Sequence, residues 1–113
     1  MPFTTTRKKD GVTIIDLTGK IEIGVGAVAL RAAVQEALDS GAKKILVNLA
    51  GVTAIDSSGV GELLASRQTV VDRGGKLKLT SLSPRAHNVL ALTNLITVLD
   101  VYDNESEAVA SFK

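Results

Sequence analysis

The polar and apolar positions at the start of the chain predict a β-hairpin. Phe3–Lys9 is rich in threonine and ends in charged residues, which favours an exposed edge strand. Asp10-Gly11 is a hairpin turn signal, and residues 12–18 (VTIIDLT) predict a second strand antiparallel to the first. Residues 19–26 then form a glycine-rich connection.

A helical period begins at Val25, and Gly41 ends this helix as a C-cap. Its apolar face consists of Ala27, Leu30, Val34, Ala37 and Leu38. Residues 45–49 (ILVNL) are almost continuously apolar, which is typical of a central strand covered on both faces.

The second half of the chain repeats the alternation of helix and strand. A second helix, which ends at Gly74-Gly75, is predicted by the spacing of Val60, Leu63, Leu64, Arg67, Val70 and Val71. Lys76–Thr80 alternates strictly and predicts a strand with one solvated face. Ser83-Pro84 indicates the start of a third helix, whose buried side is Ala86, Val89 and Leu90. Residues 96–101 predict a last short strand, and residues 104–112 a terminal helix with Ala108, Val109 and Phe112 inward.

The predicted order of elements is ββαβαβαβα, and it indicates an α/β fold. Right-handed crossovers between the later strands give a mainly parallel sheet of about five strands, with an N-terminal antiparallel strand and about four helices. A length of 113 residues fits one domain spanning residues 1–113.

Composition excludes several classes of function. The net charge is +1 and only 3% of residues are aromatic, so we expect no direct binding of nucleic acid. No apolar run approaches the length of a membrane span, and the N-terminus lacks the apolar core of a signal peptide, so we expect a cytoplasmic protein without membrane insertion. With no cysteine and His87 as the one histidine, we expect no disulfide, metal site or cofactor.

The candidate functional segment is NLAGVTAIDSSGVG, residues 48–61, which joins the central strand to the second helix. The carboxyl end of a strand is where open α/β sheets usually place their sites. Gly59 and Gly61 leave room there for a partner. On the residues alone, helix capping by Asp56, Ser57 and Ser58 is the favoured interpretation.

Catalytic interpretations of this segment lack the residues that they need. A serine hydrolase requires a placed histidine and acid, and Asp-Ser-Ser-Gly has no glycine before the nucleophile. A receiver-type phosphoacceptor at Asp56 requires clustered acids for Mg²⁺. Gly24-Val25-Gly26 lacks the further glycine or Gly-Lys-Ser/Thr of nucleotide loops. We therefore expect a protein that is not an enzyme.

Three stretches carry a resemblance to a known family. NLAGVTAIDSSGVGELL resembles the phosphorylation segment of the anti-sigma factor antagonists, the free-standing STAS domains of bacteria. TIIDLTGKIE resembles the second strand and following turn of that family, and GGKLKLTSLSP its fourth strand and next loop. The similarity extends over essentially the whole chain, and it implies the STAS fold.

The resemblance also implies a switch and its partners. Ser57 corresponds to the phosphoacceptor, and Ser58 to a neighbouring position that is a secondary candidate. In the family, the unphosphorylated protein binds a serine kinase-type anti-sigma factor and so releases the sigma factor. The kinase then phosphorylates the antagonist and ends binding, and a metal-dependent serine phosphatase restores the active form.

One turn departs from the family pattern. The family commonly has Gly-Glu-Leu-Asp after the second strand, whereas this chain has Gly-Lys-Ile-Glu at residues 19–22. Lys20 reverses a charge and Glu22 keeps an acid. In the family this turn helps to contact the kinase, so the resemblance implies that the change alters which kinase the protein recognises. The expected partner-binding residues are Lys20, Glu22, Asp56, Ser57, Ser58, Gly59 and Gly61.

Two other functions remain open within the same family. One is a non-phosphorylated scaffold subunit of a lipid-transport ABC complex, and the other is a subunit of a stress-sensing assembly. For the switch protein we expect a monomer or a weak homodimer.

Overall fold

The computed structural model describes residues 3–21 and 25–113. Within these residues the chain forms five strands and four helices in the order that the sequence predicts. The strands are β1 (Phe3–Lys9), β2 (Val12–Ile21), β3 (Lys44–Ile55), β4 (Lys76–Thr80) and β5 (Val101–Tyr102). The helices are α1 (Val25–Asp39), α2 (Ser57–Asp72), α3 (Pro84–Leu92) and α4 (Glu105–Ala110).

The strands form one sheet in the order β1-β2-β3-β4-β5. β1 is antiparallel to β2, and the other neighbouring pairs are parallel. The hairpin turn has positive φ angles at Asp10 (52°) and Gly11 (81°), as a tight two-residue hairpin turn requires. The predicted α/β fold class is therefore confirmed.

Each face of the sheet has its own apolar core, because β3 is covered on both sides. Ile45 and Val47 contribute to a larger core beneath α1, α2 and α3, whereas Leu46 faces α4. The smaller core under α4 consists of Val12, Ile14, Leu46, Ala108, Val109 and Phe112. The prediction of a central strand buried on both faces is thus confirmed for β3.

The prediction that one face of β4 is solvated is wrong. Lys78 is only 7% exposed, because α4 covers that face of the strand. Its Nζ donates hydrogen bonds to the carbonyl oxygen of Ser111 (3.0 Å) and to the Ser111 Oγ (2.9 Å). The same Nζ lies 4.6 Å from the ring centroid of Phe112 and 5.4 Å from that of Tyr102. Hydrogen bonds and aromatic faces therefore replace water around this ammonium group.

The predicted strand at residues 96–101 is also largely wrong. Residues 93–98 form turns after α3, and β5 begins only at Val101. The amide of Leu95 donates to the carbonyl of Leu90 at 2.9 Å, and the amide of Leu99 donates to that of Leu95 at 2.9 Å. These turn hydrogen bonds use the backbone groups that a strand would need.

An ion-pair network ties α4 to the hairpin. The Arg7 guanidinium donates to Asp16 (2.5 and 2.8 Å) and to Glu105 (2.5 and 3.3 Å). Asn48 on β3 also donates to Asp16, at 2.8 Å. These hydrogen bonds from Arg7 lower the pKa values of Asp16 and Glu105 below their usual values of 3.8 and 4.5.

We expect Lys78→Ala to lower the free energy of unfolding by about 2–4 kcal/mol, because it leaves a cavity under α4. Lys78→Met keeps most of the buried volume and should cost less than about 1.5 kcal/mol. Lys76→Ala, at an exposed position of the same strand, is the matched control. Urea unfolding measures all three, and equal effects at positions 76 and 78 would contradict the burial of Lys78.

The Arg7 network predicts how stability depends on pH. Because the folded-state pKa values of Asp16 and Glu105 are lowered, their stabilisation is present above the unfolded-state values and is lost as pH falls. Arg7→Gln should be less stable than the wild type at neutral pH, and this gap should narrow between about pH 5 and pH 3. Thermal unfolding across this range measures the gap, with Arg85→Gln as the exposed control. If the difference in stability between the wild type and Arg7→Gln does not change with pH, Arg7 does not lower the pKa values of the two carboxyl groups.

Candidate functional site

The site lies at the end of a two-stranded projection from the sheet. β4 pairs with β3 only from Lys44 to Asn48, whereas β2 continues alongside β3 as far as the pair Ile21 and Ile55. β2 and β3 therefore extend past the ends predicted for them, at residues 18 and 49. Among the described residues, β2 is the one strand that pairs with residues 49–55, and these residues carry the following turn beyond the body of the sheet.

Two irregularities allow β2 to follow β3 this far. The register shifts between Asp16 and Thr18 and again between Gly19 and Lys20, and Gly19 has a φ of 93°. A Cβ atom at Gly51 would lie 2.7 Å from the Thr18 Cγ2 and 3.0 Å from the carbonyl oxygen of Leu17. The close approach of the two strands therefore requires glycine at position 51.

The turn into α2 is fixed by Asp56. Its side-chain Oδ1 accepts a hydrogen bond from the amide of Gly59 at 2.9 Å, and its carbonyl accepts from the amide of Val60 at 3.0 Å. Asp56 is thus the N-cap of α2, which confirms helix capping for this residue. Ser57 is the first residue of the helix and Ser58 the second, so neither serine serves as the cap.

The two serines differ in exposure. Ser57 is exposed, and its hydroxyl makes no hydrogen bond with any residue that the structure describes. Ser58 is partly buried and faces the groove between α1 and α2. The hydroxyl of Ser57 is therefore the more accessible to another protein, and it lies at the positive end of the helix dipole.

The other residues that the sequence predicts to contact a partner differ in exposure. Gly61 is exposed, and a Cβ atom added to it would meet nothing within 4 Å. Gly59 is buried, so it is part of the helix packing rather than of an open surface. Lys20 is exposed and lies beside Ala54 on the neighbouring strand. Glu22 and Gly24 lie outside the described residues.

Sequence reasoning missed a groove that runs between α1 and α2 from Ser58. It has a volume of about 380 Å³, and its lining includes Val28 and Gly61. Below it, the Glu62 carboxylate is buried, with a side chain 4% exposed, and accepts hydrogen bonds from Arg31 at 2.7 and 3.0 Å. Ser66 donates to the second oxygen of Glu62 at 3.2 Å. Glu62 follows Ser58 by four positions, which is one too many for a regular capping box. No local signal in the sequence indicates that Arg31 is the partner of Glu62.

The loop that precedes α3 contributes a helix cap, and its neighbouring side chains are exposed. Ser83 caps α3 by accepting from the amide of Ala86 at 3.2 Å, as predicted, and Arg85 and His87 are exposed. In the described part of the chain, no group of three or more histidine, aspartate or glutamate residues could hold a metal ion. No helix within residues 3–21 and 25–113 is long and apolar enough to cross a membrane.

The cap at Asp56 gives a prediction about stability. Asp56→Ala should lower the free energy of unfolding by about 1 kcal/mol, and Asp56→Ser should recover most of that loss because serine also caps. Asp72→Ala removes a carboxylate from the other end of the same helix and should change stability by less than about 0.5 kcal/mol. Denaturant unfolding compares the three variants, and equal losses from Asp56→Ala and Asp56→Ser would contradict the capping role.

Comparison with known proteins identifies the family. The family model described as STAS domain matches residues 4–108. An anti-sigma F factor antagonist of Paenibacillus polymyxa is 26% identical over 104 residues, which cover 91% of this chain and 88% of the relative. The crystal structure of TM1081 from Thermotoga maritima has a TM-score of 0.86 at 28% identity, covering 96% of this chain and 92% of that one. The phosphorylated Bacillus cell fate determinant SpoIIAA shares the fold, with a TM-score of 0.71 at 23% identity over 97% of this chain and 99% of that one. Since the family model extends over nearly the whole sequence, this chain belongs to the STAS domain family.

Proposed function

We propose that this protein is an anti-sigma factor antagonist whose binding to its partner is switched off by phosphorylation of Ser57. The observation that carries the proposal is the exposed Ser57 hydroxyl at the first position of α2, on the tip of the β2–β3 projection. The family and the similar Paenibacillus polymyxa antagonist support the binding function.

The surroundings of Ser57 suit attack by a kinase. A serine at the tip of a projection can enter an active site without unfolding the domain. The open space above Gly61 leaves room on the next turn of the helix for the enzyme to approach. Ser58 is turned toward the α1–α2 groove, so we propose Ser57 as the main acceptor and Ser58 as the secondary one.

The energetics favour a switch that acts on binding and leaves the fold intact. A phosphate adds about −1.5 to −2 charges at neutral pH. The amino end of α2 tolerates this charge, because the helix dipole and its first amide groups are positive there. A partner surface that packs on Ser57 must instead either remove water from the phosphate or repel its charge, and both weaken binding. A loss of about 1–3 kcal/mol would weaken binding roughly tenfold to a hundredfold.

The partner in this proposal is a serine kinase-type anti-sigma factor, which phosphorylates Ser57. A metal-dependent serine phosphatase removes this phosphate. In this proposal residues 1–113 act as one domain that works by binding its partner and not by catalysis. Lys20, beside the site on β2, contributes to the choice of kinase. SpoIIAA, which has the same fold, is known in unphosphorylated and phosphorylated forms.

Phosphopeptide mapping after incubation with host extract and ATP tests the proposal. We expect phosphate on Ser57 in the wild type and in Ser58→Ala, and none on residues 57–58 in Ser57→Ala. Ser106, an exposed serine in the first turn of α4, is the internal control for unspecific phosphorylation. Absence of phosphate from both Ser57 and Ser58, with a known substrate labelled in the same extract, would favour the scaffold alternative.

Calorimetry with the purified kinase then tests the effect of the charge. Ser57→Ala should bind like the unphosphorylated wild type, and Ser57→Asp should bind about tenfold or more weakly. Ser106→Asp adds the same charge on the opposite face of the sheet and should leave the affinity unchanged. Equal affinities of the wild type, its phosphorylated form and Ser57→Asp would contradict the switch.

A further inference from the structure

The α1–α2 groove brings Ser58 together with a basic side chain, that of Arg31. Among the described residues, Arg31 and Glu62 are the charged side chains in its lining. The rest of the lining beside Ser58 is small or apolar and consists of Ala27, Val28, Gly61 and Ala65. A Cβ atom added at Gly61 would meet nothing within 4 Å, so this space is open. The groove therefore has room for a group larger than the serine hydroxyl.

Arg31 is held in this groove by one edge of its planar guanidinium group. Its Nε and Nη2 both donate to the same oxygen of the Glu62 carboxylate, at 3.0 and 2.7 Å. A guanidinium group carries further N–H donors along its outer edge, in a fixed fork. Within the described residues, these donors on Nη1 and on the outer side of Nη2 have no hydrogen-bond partner, and the side chain is 70% exposed. Arg31 is thus an anchored fork with one edge unoccupied.

Ser58 lies one helical turn before Glu62 on the same face of α2. Residues four apart in a helix have Cβ atoms about 6 Å apart, so these two side chains border the same part of the groove. Because Glu62 anchors Arg31 there, a group attached to Ser58 is within reach of the free edge of Arg31. Ser57 is exposed and is not among the residues that line the groove. A modification of Ser58 therefore has a cationic neighbour that the same modification of Ser57 lacks.

We propose that a phosphate on Ser58 is held in the α1–α2 groove by Arg31, which donates from its free edge to the phosphate oxygens while its other edge stays on Glu62. Arginine binds phosphate through two parallel N–H groups, and such charge-assisted hydrogen bonds are roughly twice as strong as neutral ones. The charge of Arg31 also offsets the repulsion between the phosphate and the Glu62 carboxylate. The groove thus forms a phosphate clamp that acts within the chain.

The clamp rests on the proposed function only for the source of the phosphate. The kinase transfers the terminal phosphoryl group of ATP to the Ser58 Oγ, so that the bond to ADP breaks and the hydroxyl proton passes to the kinase or to water. A phosphate on Ser57 is open to a phosphatase at the tip of the β2–β3 projection, whereas a phosphate on Ser58 must first leave Arg31. Phosphorylation of Ser58 therefore lasts longer than phosphorylation of Ser57.

Phosphoserine incorporated at position 57 or 58 during translation tests the clamp without a kinase, and phosphorus NMR measures the pKa of each phosphate. Glu62→Gln keeps an oxygen for Arg31, and it is the background for Arg31→Gln because no buried carboxylate then loses its partner. In this background, Arg31→Gln should raise the pKa of the phosphate on Ser58, since a nearby cation favours the dianion, and should change that on Ser57 much less. Arg67→Gln, at a different cavity on α2, should leave both pKa values unchanged.

Dephosphorylation by a metal-dependent phosphatase of broad specificity measures the consequence. In the Glu62→Gln background, the phosphate on Ser58 should be removed about tenfold more slowly than that on Ser57, because it must first give up hydrogen bonds to a charged group. Adding Arg31→Gln should remove most of this difference. Two results would overturn the clamp: a pKa of the Ser58 phosphate that Arg31→Gln leaves unchanged, or a difference in rate that persists without Arg31. A host extract that fails to phosphorylate Ser57 contradicts the proposed function and alters neither measurement.

Discussion

The candidate site depends on the parallel pairing of β2 with β3 beyond the reach of β4. This pairing brings Ile21 beside Ile55 and so fixes where Asp56 can start α2. It requires Gly51, because any side chain there would collide with Thr18 and force the strands apart. A residue without a side chain thus determines the position of Ser57 through backbone packing.

The Arg31–Glu62 contact keeps the helix that carries Ser57 in place. Glu62 is buried between α1 and α2, and its two oxygens are occupied by Arg31 and by Ser66. A buried carboxylate is tolerated only with such partners, so the contact fixes the orientation of the first turns of α2 against α1. A rigid platform of this kind suits a switch in which a new charge changes the binding surface and leaves the fold unchanged.

Local signals in the sequence predict most of the fold, whereas they do not predict contacts between distant segments of the chain. The Asp10-Gly11 turn and the Ser83 cap depend on neighbouring residues and are confirmed. The burial of Lys78 depends on α4, which lies more than twenty-five residues later in the chain. The alternation of polar and apolar residues within β4 therefore could not indicate it. The contact between Arg31 and Glu62 was not predicted for the same reason, since they belong to different helices and glutamate is a residue type that is rarely buried.

The two ends of β3 carry different side chains and lie too far apart for direct electrostatic interaction. Serine hydroxyl groups follow its carboxyl end, and the side chains of Lys43 and Lys44 lie at its amino end. A strand of twelve residues holds these ends roughly 30 Å apart, which exceeds the Debye length of about 8 Å at physiological salt. A phosphate on Ser57 therefore does not attract the lysines at the far end. Any coupling between the ends would have to pass through the packing of β3 between its two cores, where Leu46 and Val47 are fully buried.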